Sequence, residues 1–256
     1  MVVMKHQKEL IMIRKIGLII LLLTACQFAM ADKATPVDVD ALIRAIPLNV
    51  RKAPDPLLAK ANAGEAEAQR DLGFFYSDRF ADGVQDCNEG VYWYTKAAEQ
   101  GNTDAQYSLG LIYYVGQCVA QDYEHAFSWF SKAAEQGYAP AQSSLGRMYV
   151  EGYAVTQNYK QAVFWYTKSA KQGENNAQSA LAYMYEKGRG VDQSNKTAYV
   201  WWSILATSEH PYGIPSDANN ERDRVAAKLT PAALEEAQAE AAELMKKIEQ
   251  NKTGNK

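Results

Sequence analysis

Apolar positions in this chain recur with two superimposed periods. Within segments of about a dozen residues, Ala, Leu and Tyr recur at i, i+4 and i+8, as in Ala105, Leu109 and Tyr113 or Ala141, Leu145 and Tyr149. Those spacings put the three side chains on one face of an α-helix. A longer period of about 36 residues repeats the whole arrangement. Trp93-Tyr94-Thr95-Lys96-Ala97-Ala98-Glu99-Gln100-Gly101 is rewritten from Trp129 to Gly137 and again from Trp165 to Gly173. Self-similarity at a period of roughly 20–50 residues marks stacked supersecondary units.

Aligned on their glycines, the units span 64–100, 101–136, 137–172 and 173–208, and each reads as two helices. The first carries the Ala/Leu/Tyr face, with a small residue after the Leu: Gly73, Gly110, Gly146 and Ala182. A mid-helix glycine costs about 1 kcal/mol of propensity, so its presence predicts close approach of a neighbouring helix. Gly116, Gly152 and Gly188 read as left-handed stops. Asp86, Asp122, Asn158 and Ser194 then sit where an N-cap belongs. The second helix contains Trp93, Trp129, Trp165 and Trp201 and closes at Gly101, Gly137 and Gly173. The recurring tryptophans are assigned to the inter-helix core.

Both ends read as caps. Leu57 to Gly64 imitates a second helix without its first, and Pro47, Pro54 and Pro56 make 47–56 a stiff, largely non-helical connector. Pro211 and Pro215 break the chain after the fourth unit. A helix is expected over 219–229, and Thr230-Pro231 starts another. In that last helix Leu234, Ala237, Ala241, Leu244 and Ile248 form an apolar stripe opposite Glu235, Glu236, Glu240 and Glu243. Terminal units with such a polar back keep a repeat array soluble. Residues 32–63 and 209–250 are thus the N- and C-terminal capping segments, and 251–256 are expected to be a disordered tail.

Residues 64–208 resemble the Sel-one-like repeats (SLR), relatives of the tetratricopeptides. The departures are Ala182 for Gly, one extra residue between Tyr76 and Trp93, and Gly90 where other units have Ala126, Ala162 and Ala198. The resemblance implies an all-α fold, a right-handed α/α superhelical solenoid of four helix–turn–helix repeats with capping helices. It also implies that the first helices line a concave groove. On those helices, positions at spacings of four and three share a face distinct from the core and differ between units: Arg70, Phe74, Ser77; Tyr107, Leu111, Tyr114; Ser143, Arg147, Val150; Ser179, Tyr183, Glu186. Phe74, Tyr107, Leu111, Tyr114, Arg147 and Tyr183 are therefore the candidate binding residues. Exposed aromatics around an arginine suit protein or peptide recognition.

Composition adds the compartment. The chain is 47% hydrophobic and 22% charged, which excludes disordered and collagen-like classes. Arg14-Lys15, the apolar run 16–23 and Ala29-Met30-Ala31 form a signal peptide over 1–31. Leu23-Thr24-Ala25-Cys26 offers a competing lipobox in which Cys26 would be acylated. Either way the domain is expected outside the cytoplasm: in the periplasm of a Gram-negative bacterium, or as an outer-membrane lipoprotein or secreted protein. Membrane association is expected only through such an anchor. Removing residues 1–31 takes four basic residues and one acidic one and moves the net charge from −3 to −6, so no nucleic-acid partner is expected. An oxidising compartment leaves a disulfide between Cys87 and Cys118 open.

Catalytic signals are missing from the sequence. There is no H-E-x-x-H, C-x-x-C or G-x-S-x-G motif, and neither metal nor cofactor is expected. His125 reads as an exposed helix residue, and His210 precedes Pro211. The expected function is a non-catalytic, exported scaffold binding an unidentified protein or peptide. The alternative, an envelope enzyme or binder for β-lactam or peptidoglycan-type ligands, follows from a cysteine-rich branch of the same family. That branch carries paired cysteines at helix junctions where this chain has alanines such as Ala105, Ala134 and Ala141.

Overall fold

The structure, a computed structural model, describes residues 53–77, 87–207 and 216–254, all within a compact unit running from Arg51 to Lys256. The signal segment, Cys26, Asp86, His210 and Pro211 lie outside the described residues. The described residues are all-helical, with helices α1 (Asp55–Asn62), α2 (Ala66–Ser77), α3 (Cys87–Glu99), α4 (Thr103–Val115), α5 (Tyr123–Glu135), α6 (Ala139–Glu151), α7 (Tyr159–Ala170), α8 (Asn175–Lys187), α9 (Asn195–Thr207), α10 (Ser216–Ala226) and α11 (Pro231–Gly254). The pairs α2/α3, α4/α5, α6/α7 and α8/α9 are the four repeats, and from α1 to α9 each helix packs on the next.

Local signals produce these boundaries. Asp122 and Asn158 cap α5 and α7 by accepting from the backbone N–H groups of His125 and Gln161. At the end of α3, Gly101 N–H donates to Ala98 and Asn102 N–H to Ala97. That is a Schellman motif, which requires the left-handed φ of 91° that Gly101 adopts.

Inside a repeat the two helices meet where glycine faces an aromatic ring. A Cβ placed on Gly110 would lie 2.4 Å from the Phe130 ring, and on Gly73 or Gly146 it would come within 2.6 Å of Tyr94 or Tyr166. Only a residue without a side chain allows that approach. The aromatic partner is the residue after the tryptophan, which corrects the expectation that all the tryptophans are core. Phe130, Tyr94 and Tyr166 are buried, whereas Trp129 and Trp165 are half-buried beneath Lys132 and Lys168. Trp129 leans on the cluster shared by α3 and α4 instead, and Trp165 on that shared by α5 and α6. Trp93 and Trp201 are fully buried because the terminal helices cover them.

Between repeats runs a ladder of glutamines. Gln69, Gln106, Gln142 and Gln178 are buried, and each Nε2 donates to a carbonyl eight residues back: Ala61, Ala98, Ala134 and Ala170, at 3.0–3.2 Å. Three of the side-chain oxygens in turn accept from Gln100, Gln136 and Gln172 one helix on, at 2.7–2.9 Å. A buried amide needs such partners, since an unpaired one costs roughly 1–3 kcal/mol. Among the described residues Gln178 Oε1 has no partner; one period after Gln172 the sequence holds Ser208 instead of a glutamine. Since Gln69 bonds α1 as the later glutamines bond true second helices, α1 is the expected cap.

The ends differ in detail from expectation. Pro54 is the N-cap of α1 and Pro56 lies in its first turn, so the connector is helical from Asp55, where the missing proline N–H groups cost nothing. Helix α10 begins three residues earlier than expected. Helix α11 runs through Asn251 to Gly254 rather than ending at 250, and Asn251 Nδ2 reaches the Lys171 carbonyl at 3.5 Å. Its stripe is as expected: Ala237, Ala241 and Ile248 are buried in the cluster of the fourth repeat. Lys196 of α9 pairs with Glu236 at 2.9 Å.

Glu186, at the end of α8, is 2% exposed and holds α10 in place. Its carboxylate takes both Arg224 amino groups at 2.8 and 2.6 Å and Lys228 at 2.9 Å. The Arg224 bonds, with Lys228, hold its pKa down to about 2.

Two outcomes are expected. In urea unfolding, Phe130→Ala should cost about 3–5 kcal/mol and Trp129→Ala clearly less; equal losses would return Trp129 to the core. Glu186 contributes stability above pH 4.5 that is lost as the pH falls towards 2. The stability gap between wild type and Glu186→Gln, roughly 3 kcal/mol at pH 7, should therefore be flat above pH 5.5 and close below 4.5. A gap independent of pH would show that the ion cluster does not hold α10.

Candidate functional site

The register positions where the repeats disagree do not share one environment. Tyr107 and Leu111 of α4 and Arg147 of α6 border a single cavity of about 240 Å³. Its remaining wall is Pro140, Ser143 and Ser144 of α6, Tyr166 of α7, and Glu174 and Asn176 at the start of α8. Tyr107 is half-buried against Phe130 and Tyr138, with ring centroids 5.6 and 5.4 Å away. Burial raises its pKa, so the phenol is a neutral hydroxyl at the cavity wall.

Tyr114 stands beside this cavity rather than in it. Its ring packs edge-on to Tyr123 at 5.5 Å and Tyr153 at 6.1 Å, themselves stacked 4.3 Å apart. The Arg147 guanidinium lies 4.8 Å from the Tyr114 ring centroid. Stacking of this kind orients the planar group while leaving its N–H donors free. Arg147 is exposed and, among the described residues, makes no ion pair.

Tyr183, 43% exposed, borders a smaller neighbouring cavity of about 90 Å³ with Val150, Tyr159, Met184 and Arg189. Tyr166 lies in the wall of both cavities. Phe74 is 61% exposed and borders neither. Glu186, in the same register, is turned into the ion cluster with Arg224. The structure thus brings together Tyr107, Leu111 and Arg147, places Tyr114 behind Arg147, puts Tyr183 next door and leaves Phe74 apart.

Sequence reasoning missed Glu174, Asn176 and Pro140. All three occupy positions that vary between repeats: Glu65, Asn102, Tyr138, Glu174 in one register and Glu67, Asp104, Pro140, Asn176 in another. The variation was visible, but it lies at helix starts rather than on the helix face considered. Tyr166 was hidden because it belongs to the invariant phrase.

The cavity wall offers two serines and the Glu174 carboxylate, and no histidine, cysteine or lysine. His125 is exposed on α5, with Nδ1 2.7 Å from Asp122 and its ring stacked on Tyr113. Among the described residues no three His, Cys, Asp or Glu side chains group as metal ligands, and no helix is long and apolar enough to cross a membrane. Cys118, in the loop after α4, is disulfide-bonded; the side chain of Cys87 lies outside the described residues.

Comparison with known proteins agrees with the helix pairs. The model of the Sel1 repeat matches residues 66–102, 103–138, 139–174 and 175–210. A Sel1 repeat protein from Oxalobacter formigenes is 30% identical over 66% of this chain and 48% of its own, with a TM-score of 0.57. A protective antigen of uropathogenic Escherichia coli strains, with an SLR fold, is 27% identical over 77% of this chain and 49% of its own, with a TM-score of 0.48. The chain therefore spans about half the length of these relatives. No curated protein matches it.

Proposed function

Because the chain belongs to the Sel1-repeat family, whose members are generally protein–protein interaction scaffolds, we propose that it is an exported, non-catalytic scaffold whose first-helix groove receives a segment of a partner protein. The observation that carries this reading is the cavity itself. Its wall is built largely from letters that vary between repeats, while the invariant glycines, glutamines and alanines are consumed in holding helices together. An exposed arginine, a phenol, two serines and a leucine in one recess supply the mixed polar and apolar contacts of a recognition surface.

Export draws on the amino-terminal segment with its Ala29-Met30-Ala31 site and on the disulfide of Cys118. Disulfides persist in oxidising compartments, and Cys87 is the partner in this reading. The periplasm is the destination proposed, with acylation at Cys26 the route to anchoring. No observation favours turnover of β-lactam or peptidoglycan-type ligands over binding.

The test is photo-crosslinking in the native cell envelope from a benzophenone amino acid at Ser144. The expected outcome is a discrete crosslinked partner that is lost when Leu111→Glu and Arg147→Ala are introduced, with helical content unchanged. A partner captured equally by the double variant would move recognition away from this groove.

A further inference from the structure

The edge of the stack carries a second inter-repeat bond, and it stops at the cavity. Asn102 Nδ2 donates to Glu67 Oε1 at 2.8 Å, joining the second repeat to the first. Tyr138 Oη donates to Asp104 Oδ1 at 2.7 Å, joining the third to the second. One period further on, the pair would be Glu174 and Pro140. Proline has no polar side chain, so the bond cannot form there. Among the described residues Glu174 Oε1 accepts a local bond from Asn176 Nδ2 at 3.0 Å and Glu174 makes no ion pair. The carboxylate and Pro140 both border the cavity.

The same cavity therefore has one cation and one anion in its wall that are not paired with each other. Arg147 and Glu174 form no salt bridge, and the Tyr107 hydroxyl, in the same lining, lies within the field of both charges. Two opposite charges in one recess, neither held in an ion pair among the described residues, are both available to a ligand of complementary charge. Resting on the groove reading above, we infer that the occupant is a short peptide segment with a carboxylate and an ammonium close together. The carboxylate takes the N–H fork of Arg147, which stacking on Tyr114 holds in place, and the ammonium takes Glu174. Ser143, Ser144 and the Tyr107 hydroxyl complete the polar wall. Complementary charges in this arrangement select the partner and its direction along the groove.

Four capped pentapeptides test the inference by titration calorimetry on the full chain: acetyl-Gly-Glu-Gly-Lys-Gly-amide and its versions with Gln for Glu, Gln for Lys, and Gln for both. The doubly charged peptide should bind at least about tenfold tighter than the neutral one, with the preference falling as salt rises. Arg147→Gln should erase only the preference for Glu over Gln, and Glu174→Gln only that for Lys over Gln. Glu174 makes no side-chain cap bond on α8, so Glu174→Gln leaves the helix start intact. Four equal affinities would overturn the charge assignment and leave the groove reading standing. If no peptide binds while Ser144 still crosslinks its partner, the charge assignment fails alone. Loss of both results would sink the groove reading as well.

Discussion

The distance between the two helices of a repeat is set where a glycine meets an aromatic ring. At Gly110 there is no room for a methyl group against Phe130, and the contact recurs between Gly73 and Tyr94 and between Gly146 and Tyr166. Cores tolerate neither voids nor overpacking cheaply, so this contact fixes the helix pair as a rigid block. The glutamine ladder then sets the spacing from block to block, because each buried amide reaches a carbonyl of the previous repeat. The fourth repeat has Ala182 instead of glycine and a Gln178 oxygen without a partner among the described residues. It also differs in being covered by α10 and α11, which bury Trp201 and hold Glu186.

A surface is left over once these contacts are made. Alanine, leucine, glycine and glutamine positions are used in the stack, and the remaining first-helix and helix-start positions are free to differ. At the junction of the second, third and fourth repeats they form a recess with Arg147 and Glu174 in its wall, unpaired among the described residues. Elsewhere the same registers are closed by ordinary bonds, as with Asn102 and Glu67. The substitution of Pro140 turns a structural register into an open one.

Much of the architecture was legible in the sequence because it rests on local, repeated chemistry. The period, the N-caps at Asp122 and Asn158, the left-handed glycines and the α11 stripe all follow from spacing. Trp129 and Trp165 were misassigned, whereas Trp93 and Trp201 are core, because in each repeat the tryptophan and the next residue are both aromatic. Adjacent helix positions point about 100° apart, so only the glycine they face decides which one is core. The glutamines were passed over since polar residues are mostly exposed, although their strict recurrence was a signal. Of the candidate site, Tyr107, Leu111 and Arg147 were legible, whereas Glu174 required knowing that a helix start of one repeat abuts the preceding one. Glu186 could not be read at all, since its partner Arg224 is 38 residues away in a segment outside the repeat pattern.

The proposed division between residues that hold the stack and residues that recognise a partner is open to one direct measurement. A substitution scan of the whole chain, scored separately for folded abundance and for partner capture in the envelope, distinguishes the two roles at every position. Substitutions at Gly110, Phe130, Gln106 and Gln142 should lower abundance, with capture falling in proportion. Those at Leu111, Ser144, Arg147 and Glu174 should lower capture at constant abundance. Capture-specific positions concentrated instead on the exposed outer faces of the second helices, around Tyr92 and Phe164, would contradict the account.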